Sequence, residues 1–127
     1  MIRTLKQKKV YENKWLRLNE DDVEFPDGKK GIFTYVDRVD EGSIAVPMTN
    51  DGKLVILREW RYAVKDWTWC FPAGGAKYPG EDRLEVAKKE LKEEAGMVAK
   101  EWAELGRLQI DPGSSSQNVP VFLAQDL

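Results

Sequence analysis

From Leu84 onward the apolar residues change their spacing, and this change constrains the fold most. Leu84, Ala87, Leu91 and Ala95 recur at helical intervals, whereas β-type segments alternate with turn signals through the first seventy residues. Gly80 or Glu81 is placed to start this helix and Gly96 to stop it. Trp15 to Phe25 reads as a strand with a break at Asn19 to Asp22, and Pro26-Asp27-Gly28 as a turn. Gly31 to Arg38 and Gly42 to Met48 follow as strands. Asn50-Asp51-Gly52 signals a hairpin into the apolar run Lys53 to Trp60. Asp66 to Phe71 is a further strand, Pro72 to Gly80 a glycine-rich loop, and Trp102 to Ile110 and Val119 to Ala124 are strands around the loop Asp111 to Gln117. The expected class is α+β, a mixed, strand-heavy sheet with one dominant helix.

With 127 residues, 42% of them apolar and five of them tryptophan, the chain suits one domain with one core. The net charge of −2 and the scattered lysines and arginines argue against a nucleic-acid partner. No apolar run is long enough for a membrane span, and the basic segment Met1 to Val10 does not read as a secretory signal. One cysteine, Cys70, excludes an intrachain disulfide and fits the cytoplasm. The absence of histidine excludes Ser-His-Asp and Cys-His catalysis and histidine zinc sites. Any enzymatic chemistry falls to carboxylates and lysines.

Projected at about 100° per residue, Glu90, Glu93 and Glu94 share one flank of the apolar stripe. The i,i+4 pair Glu90–Glu94 is mutually repulsive, and two of the acids lie in the last turn, where the helix dipole disfavours them. A divalent cation would relieve both penalties, and Mg²⁺ prefers a few carboxylates together with substrate phosphates. A solvated face with ordinary Glu85–Lys89 and Lys89–Glu93 pairs accounts for the same residues.

The wider spacing favours the first reading. From Gly75, five residues lead to Glu81, seven more to Lys89-Glu90-Leu91, one to Glu93-Glu94, and one to Gly96-Met97. This resembles the Nudix box, Gly-x5-Glu-x7-Arg-Glu-U-x-Glu-Glu-x-Gly-U with U bulky and aliphatic. Of its nine fixed positions, eight match, and Lys89 is the exception. Arg58-Glu59-Trp60-Arg61-Tyr62, then Trp69-Cys70-Phe71-Pro72-Ala73-Gly74, then Asp111-Pro112-Gly113-Ser114 are similar to the ADP-ribose and nucleotide-sugar branch of that family.

The resemblance implies a Nudix-like mixed sheet packed on a loop–helix–loop, with an N-terminal antiparallel strand region over residues 1–40 that helps build a homodimer. It implies Mg²⁺, or alternatively Mn²⁺, held by Glu90 and Glu94, with Glu93 as a further ligand, Glu81 supporting the loop, and a carbonyl from Ala73 or Gly74. Glu93, Glu94 and Lys89 would be catalytic, and Arg61, Arg58, Tyr62 and Ser114 would contact substrate. The implied activity is hydrolysis of the diphosphate of ADP-ribose or a nucleotide-sugar to a nucleoside monophosphate and a sugar phosphate. The alternatives are nucleoside triphosphates or dinucleoside polyphosphates as substrates, or a non-catalytic domain that binds a nucleotide or a protein.

Departures from the family pattern carry their own expectations. Lys89 keeps the charge of the box arginine but lacks its planar fork. An extra glycine follows Pro72-Ala73-Gly74, which leaves open which carbonyl reaches the metal. Cys70, where the branch often has Glu, is expected to pack as a small hydrophobe. The strand, helix and glutamate-bearing loop that follow in relatives have no counterpart before Leu127, so Asp111, and after it Glu104, stand as substitute general bases. Trp60, Tyr62, Trp67 and Trp69 read as core or interface aromatics more readily than as base-stacking ones.

Overall fold

A computed structural model describes residues 1–38 and 42–127. The chain divides into two compact units, one of Met1–Glu41 with Gln109–Asn118, the other of Gly42–Leu108 with Val119–Leu127. Residues 39 and 40 of the expected N-terminal strand region lie outside the described residues.

The first unit is an antiparallel sheet of β1 (Arg3–Lys6), β2 (Lys9–Glu12), β3 (Leu16–Glu24) and β4 (Lys30–Arg38). β1 and β2 share one edge of β3, Arg3 opposite Glu24 and Glu12 opposite Arg17, and β4 takes the other edge, Leu16 opposite Arg38. The turn at Pro26-Asp27-Gly28 forms as expected, with Gly28 at φ +83° and its N–H donating to the Phe25 carbonyl at 2.8 Å. The expected break at Asn19 to Asp22 does not occur, and β3 runs through it. The polar side chains there have partners: Asp21, 4% exposed, accepts from Tyr35 Oη at 2.9 Å and from the Lys8 N–H at 3.1 Å. A paired buried carboxylate is tolerated inside a strand where an unpaired one is not.

The second unit contains β5 (Gly42–Pro47), β6 (Leu57–Arg61), β7 (Asp66–Cys70), β8 (Ala73–Gly75), α1 (Arg83–Ala95), β9 (Glu101–Gln109) and β10 (Asn118–Gln125). Its main sheet runs β8-β5-β10-β9, with β5 and β10 parallel and β5 and β8 antiparallel, while β6 and β7 form a separate two-stranded hairpin. The expected strand Lys53 to Trp60 is shorter at its start. After the Thr49–Lys53 turn, Leu54 makes an isolated antiparallel bridge to Met48 and the Val55 N–H donates to the Pro47 carbonyl, so this segment lies beside the end of β5 before it joins the hairpin. The expected loop Pro72 to Gly80 yields β8, which carries no strand propensity of its own and exists because β5 pairs with it.

Helix α1 starts at Arg83, two or three residues later than expected. Asp82 is its N-cap, with the carboxylate accepting the Glu85 N–H at 3.0 Å. It ends as expected at Gly96, whose φ of +65° lets its N–H and that of Met97 reach the Lys92 and Leu91 carbonyls. The buried stripe is Val86, Ala87, Glu90 and Leu91, while Leu84 and Ala95 are half-buried. Ala45, Ala87, Leu91, Phe122 and Ala124 make the core between α1 and the sheet, and its three alanines let helix and sheet approach closely. Ser43, fully buried, ties β5 to the first turn of α1 by donating to the Arg83 carbonyl at 2.7 Å. No described helix is long and apolar enough to cross a membrane.

Candidate active site

The rotation of the stripe brings Glu90 inward. Only 8% exposed, it lies against β8, where a Cβ built on Gly74 would come within 2.6 Å of both carboxylate oxygens. One turn on, Glu94 Oε2 accepts the Ala73 N–H at 3.1 Å. β8 is the edge strand. The Pro72 carbonyl accepts from Ala45 N–H, and the Gly74 carbonyl lies so close to Gly42 that a Cβ there would be 2.6 Å from it. Alternation therefore turns both polar groups of Ala73 to the outer side, beside Glu94. Of the two expected backbone ligands, the Ala73 carbonyl points to the outer side with its N–H and the Gly74 carbonyl faces β5.

Lys89, at the box arginine position, makes the contacts its charge allows. Its Nζ is 3.1 Å from Glu90 Oε1 and 3.8 Å from Glu93 Oε2. The Glu90 carboxylate, with Glu93 and Glu81 behind it, holds the Lys89 ammonium above the usual lysine range. Glu81 Oε2 accepts the Lys77 N–H at 2.6 Å, which closes the loop before the helix. Glu93 is exposed and turned to Lys89.

The hairpin β6–β7 has two chemically distinct faces. Residues directly opposite share a face, and the register pairs Leu57 with Cys70, Glu59 with Thr68 and Arg61 with Asp66. On this face Arg61 Nη2 is 2.7 Å from Glu59 Oε2 and 3.5 Å from Cys70 Sγ. The opposite face carries Arg58, whose guanidinium lies 5.6 Å from the Trp67 ring centre and 5.9 Å from that of Trp69, with Trp60 edge-on to Trp67 at 6.3 Å. Arg58 and Arg61, expected together on substrate, are thus on opposite faces. Tyr62 lies past the end of β6, its ring 2.9 Å from Lys65 Nζ. Ser114 belongs to the other unit, where its hydroxyl donates to the Asp111 carboxylate.

Burial pushes the Glu94 carboxyl above its ordinary range. The Ala73 N–H opposes that rise, Glu59 and Glu90 add to it, and Arg61 partly offsets it. Glu59, to which the sequence assigns no role, is thus a further negative charge acting on Glu94. Its only sequence signal was an i,i+2 position relative to Arg61, which places both on one face of a strand. Cys70 is half-buried with its thiol held up by desolvation, and it touches Arg61 rather than serving only as packing. Glu104 is not brought to these acids. It lines a cleft of about 480 Å³ with Asp82, Arg83, Trp102 and Arg107, at the opposite end of a helix about 18 Å long.

The donors at this place are carboxylate and carbonyl oxygens, the set a hard divalent cation takes. Glu90 against a bare Cα and Glu94 against a backbone N–H, with the Glu90 charge raising the cost of ionising Glu94, fit such an ion. Among the described residues no three His, Cys, Asp or Glu side chains are grouped as a finished cage. The fit is therefore of the Glu90–Glu94 pair with the Ala73 edge, and Glu93 and Glu81 hold to Lys89 and Lys77.

The NUDIX domain family model matches residues 38–123, and that of the nucleoside diphosphate sugar hydrolase N-terminal domain matches residues 2–36. An ADP-ribose pyrophosphatase of Bacillus subtilis (strain 168) is 30% identical, covering 98% of this chain and 66% of its own. One of Mycobacterium tuberculosis (strain ATCC 25618 / H37Rv) is 31% identical, covering 98% and 59%. A crystal structure of an ADP compounds hydrolase superposes with a TM-score of 0.83 at 27% identity, covering 98% of this chain and 67% of that one. The chain thus spans about two thirds or less of the curated relatives it matches. With its box helix, its β8 edge and both family matches in place, the chain belongs to the Nudix hydrolase family, on the side that carries the nucleoside diphosphate sugar hydrolase N-terminal domain.

Proposed function

We propose that this protein hydrolyses the diphosphate of ADP-ribose or a related nucleoside-diphosphate sugar in the presence of Mg²⁺, or alternatively Mn²⁺. The observation that carries the reading is Glu90 and Glu94 meeting the outer edge of β8 at Ala73 and Gly74. The N-terminal match over residues 2–36 favours a nucleoside-diphosphate sugar over a triphosphate. The relatives named ADP-ribose pyrophosphatases support ADP-ribose as the first substrate to try.

In the reaction, water adds to one phosphorus and the bridging P–O bond breaks. The bridging oxygen leaves on the other phosphate, giving a nucleoside monophosphate and a sugar phosphate. A bound divalent cation would supply a lowered pKa for its water and neutralisation of developing phosphate charge. Glu90, Glu94 and the Ala73 carbonyl would hold it. Lys89 fixes the Glu90 carboxylate, and Glu93 stands ready as a further, water-mediated ligand. Glu81 holds the loop that enters the helix. Arg61 offers its guanidinium to the diphosphate. Arg58, Tyr62 and Ser114 remain candidate substrate contacts outside this cluster.

We place the reaction in the cytoplasm, as a single cysteine suits, and infer a homodimer built through the N-terminal strand region. Trp15, Tyr11, Val10 and Ile32 of that region are all more than half exposed. Light scattering should return twice the chain mass, and a concentration-independent monomer would refute the dimer.

The deciding experiment measures product release from ADP-ribose, other nucleotide-sugars, nucleoside triphosphates and dinucleoside polyphosphates, with Mg²⁺ and with EDTA. Metal-dependent turnover of the first two groups, lost in Glu94→Gln, is the expected result. Full activity in Glu94→Gln would overturn the assignment of the metal site.

A further inference from the structure

The Arg61 side chain takes an unusual path. Arg61 sits at the tip of its hairpin, opposite Asp66, whereas Cys70 sits at the base, opposite Leu57. The two Cα positions are thus separated by about 13 Å along the strands, at about 3.3 Å per residue. Yet Arg61 Nη2 is 3.5 Å from Cys70 Sγ, so the side chain must lie back along the hairpin, nearly extended. Glu59, halfway, meets the same Nη2 at 2.7 Å. The base of this hairpin leads into Ala73, whose N–H is held by Glu94.

We propose that Glu59 is a positioning residue: with Cys70 it tethers Arg61 Nη2, bringing the guanidinium from the hairpin tip to the Glu90–Glu94 cluster and leaving its other donors for a bound diphosphate. The proposal rests on the functional reading above. A guanidinium has five N–H donors in a fixed fork, and both observed contacts use one nitrogen. Nε and Nη1 then face a ligand from a pre-set direction. An arginine with about half of its side chain exposed would otherwise spread over many rotamers and lose that freedom when it binds. The opposite hairpin face shows the contrast, since Arg58 is held by Trp67 and Trp69 and has no carboxylate tether among the contacts described.

The test is a double-mutant cycle on the full chain with Mg²⁺, using Glu59→Ala, Arg61→Ala and the pair. Turnover of ADP-ribose and equilibrium binding of its non-hydrolysable α,β-methylene analogue are both read. Glu59→Ala should raise KM and the analogue Kd about tenfold with kcat within about threefold, the pattern of lost binding rather than lost chemistry. In the Arg61→Ala background the same change should cost less than about twofold, because the two residues act as one. Glu59→Gln, which keeps the shape and an acceptor oxygen, should recover about half of the loss on a logarithmic scale. Equal losses in both backgrounds, or a fall in kcat matching that of Glu94→Gln, would overturn the proposal while leaving the activity intact. Absence of turnover in the unmodified protein would instead sink the functional reading, and this inference with it.

Discussion

The Glu90 carboxylate rests on the bare Cα of Gly74, so closely that any side chain there would come within 2.6 Å of both its oxygens. The contact joins the helix to the edge strand at the place where the acids collect. It explains why β8 needs glycine at a position whose backbone conformation is ordinary. Gly74→Ala should therefore separate activity from stability. The Glu90 carboxylate can swing aside, so the melting free energy should fall by about 1 kcal/mol, at the low end for overpacking. Turnover should fall about a hundredfold, because a carboxylate displaced by 1 Å no longer holds its geometry. Thermal melts beside kcat would check this, and unchanged kcat would show that Glu90 does not act from this position.

Lys89 faces both Glu90 and Glu93. Lys89→Arg should keep activity within about threefold, and Lys89→Ala should lower kcat about tenfold or more with little change in KM, as expected when an orienting charge is lost. Steady-state kinetics decide the matter. If the alanine variant retains full kcat, the ammonium serves only the helix surface.

Leu91, fully buried in the core with Ala45, Ala87, Phe122 and Ala124, anchors the turn that bears Glu90 and Glu94. Leu91→Ala should cost about 2–5 kcal/mol, the range for a buried leucine whose cavity is only partly refilled. Denaturant unfolding measures it, and a loss under 1 kcal/mol would mean that the helix can settle onto the sheet.

In the N-terminal unit, burial and the hydrogen bond to Asp21 push the Tyr35 phenol above its ordinary range. A group bound more tightly to its proton in the folded state stabilises the fold fully below the unfolded pKa, about 10 for tyrosine. That contribution is lost as pH rises through the higher folded value. Stability should therefore decline more steeply above pH 10 in the parent than in Tyr35→Phe. Near neutrality the variant should be weaker by about 1–2 kcal/mol, since Asp21 loses a donor. Parallel melts across this pH range test both statements, and identical alkaline slopes would remove Tyr35 as the cause.

The sequence by itself determined the features with local causes. Gly96 and the 3.6-residue period of α1 specify the helix and its stop wherever the chain goes, Gly28 specifies its turn, and only the folded chain showed Asp82 as the cap. The box spacing places Glu90 and Glu94 one turn apart before any packing exists. Tertiary structure alone decided what depends on partners distant in sequence. Ala73 to Gly75 became a strand because β5 offered its edge, and Asn19 to Asp22 stayed in β3 because Tyr35 and Lys8 answer Asp21. Helical spacing marked Glu90 as flanking the apolar stripe, but burial of Val86 rotated the helix and brought the carboxylate onto Gly74. Cys70 became a neighbour of Arg61 only through the register of the β6–β7 hairpin. Periodicity and capping act within a few residues and can be read along the chain. Registers, edge pairings and the rotation of a helix on its sheet are set by contacts between segments far apart in it, and those exist only once the chain is folded.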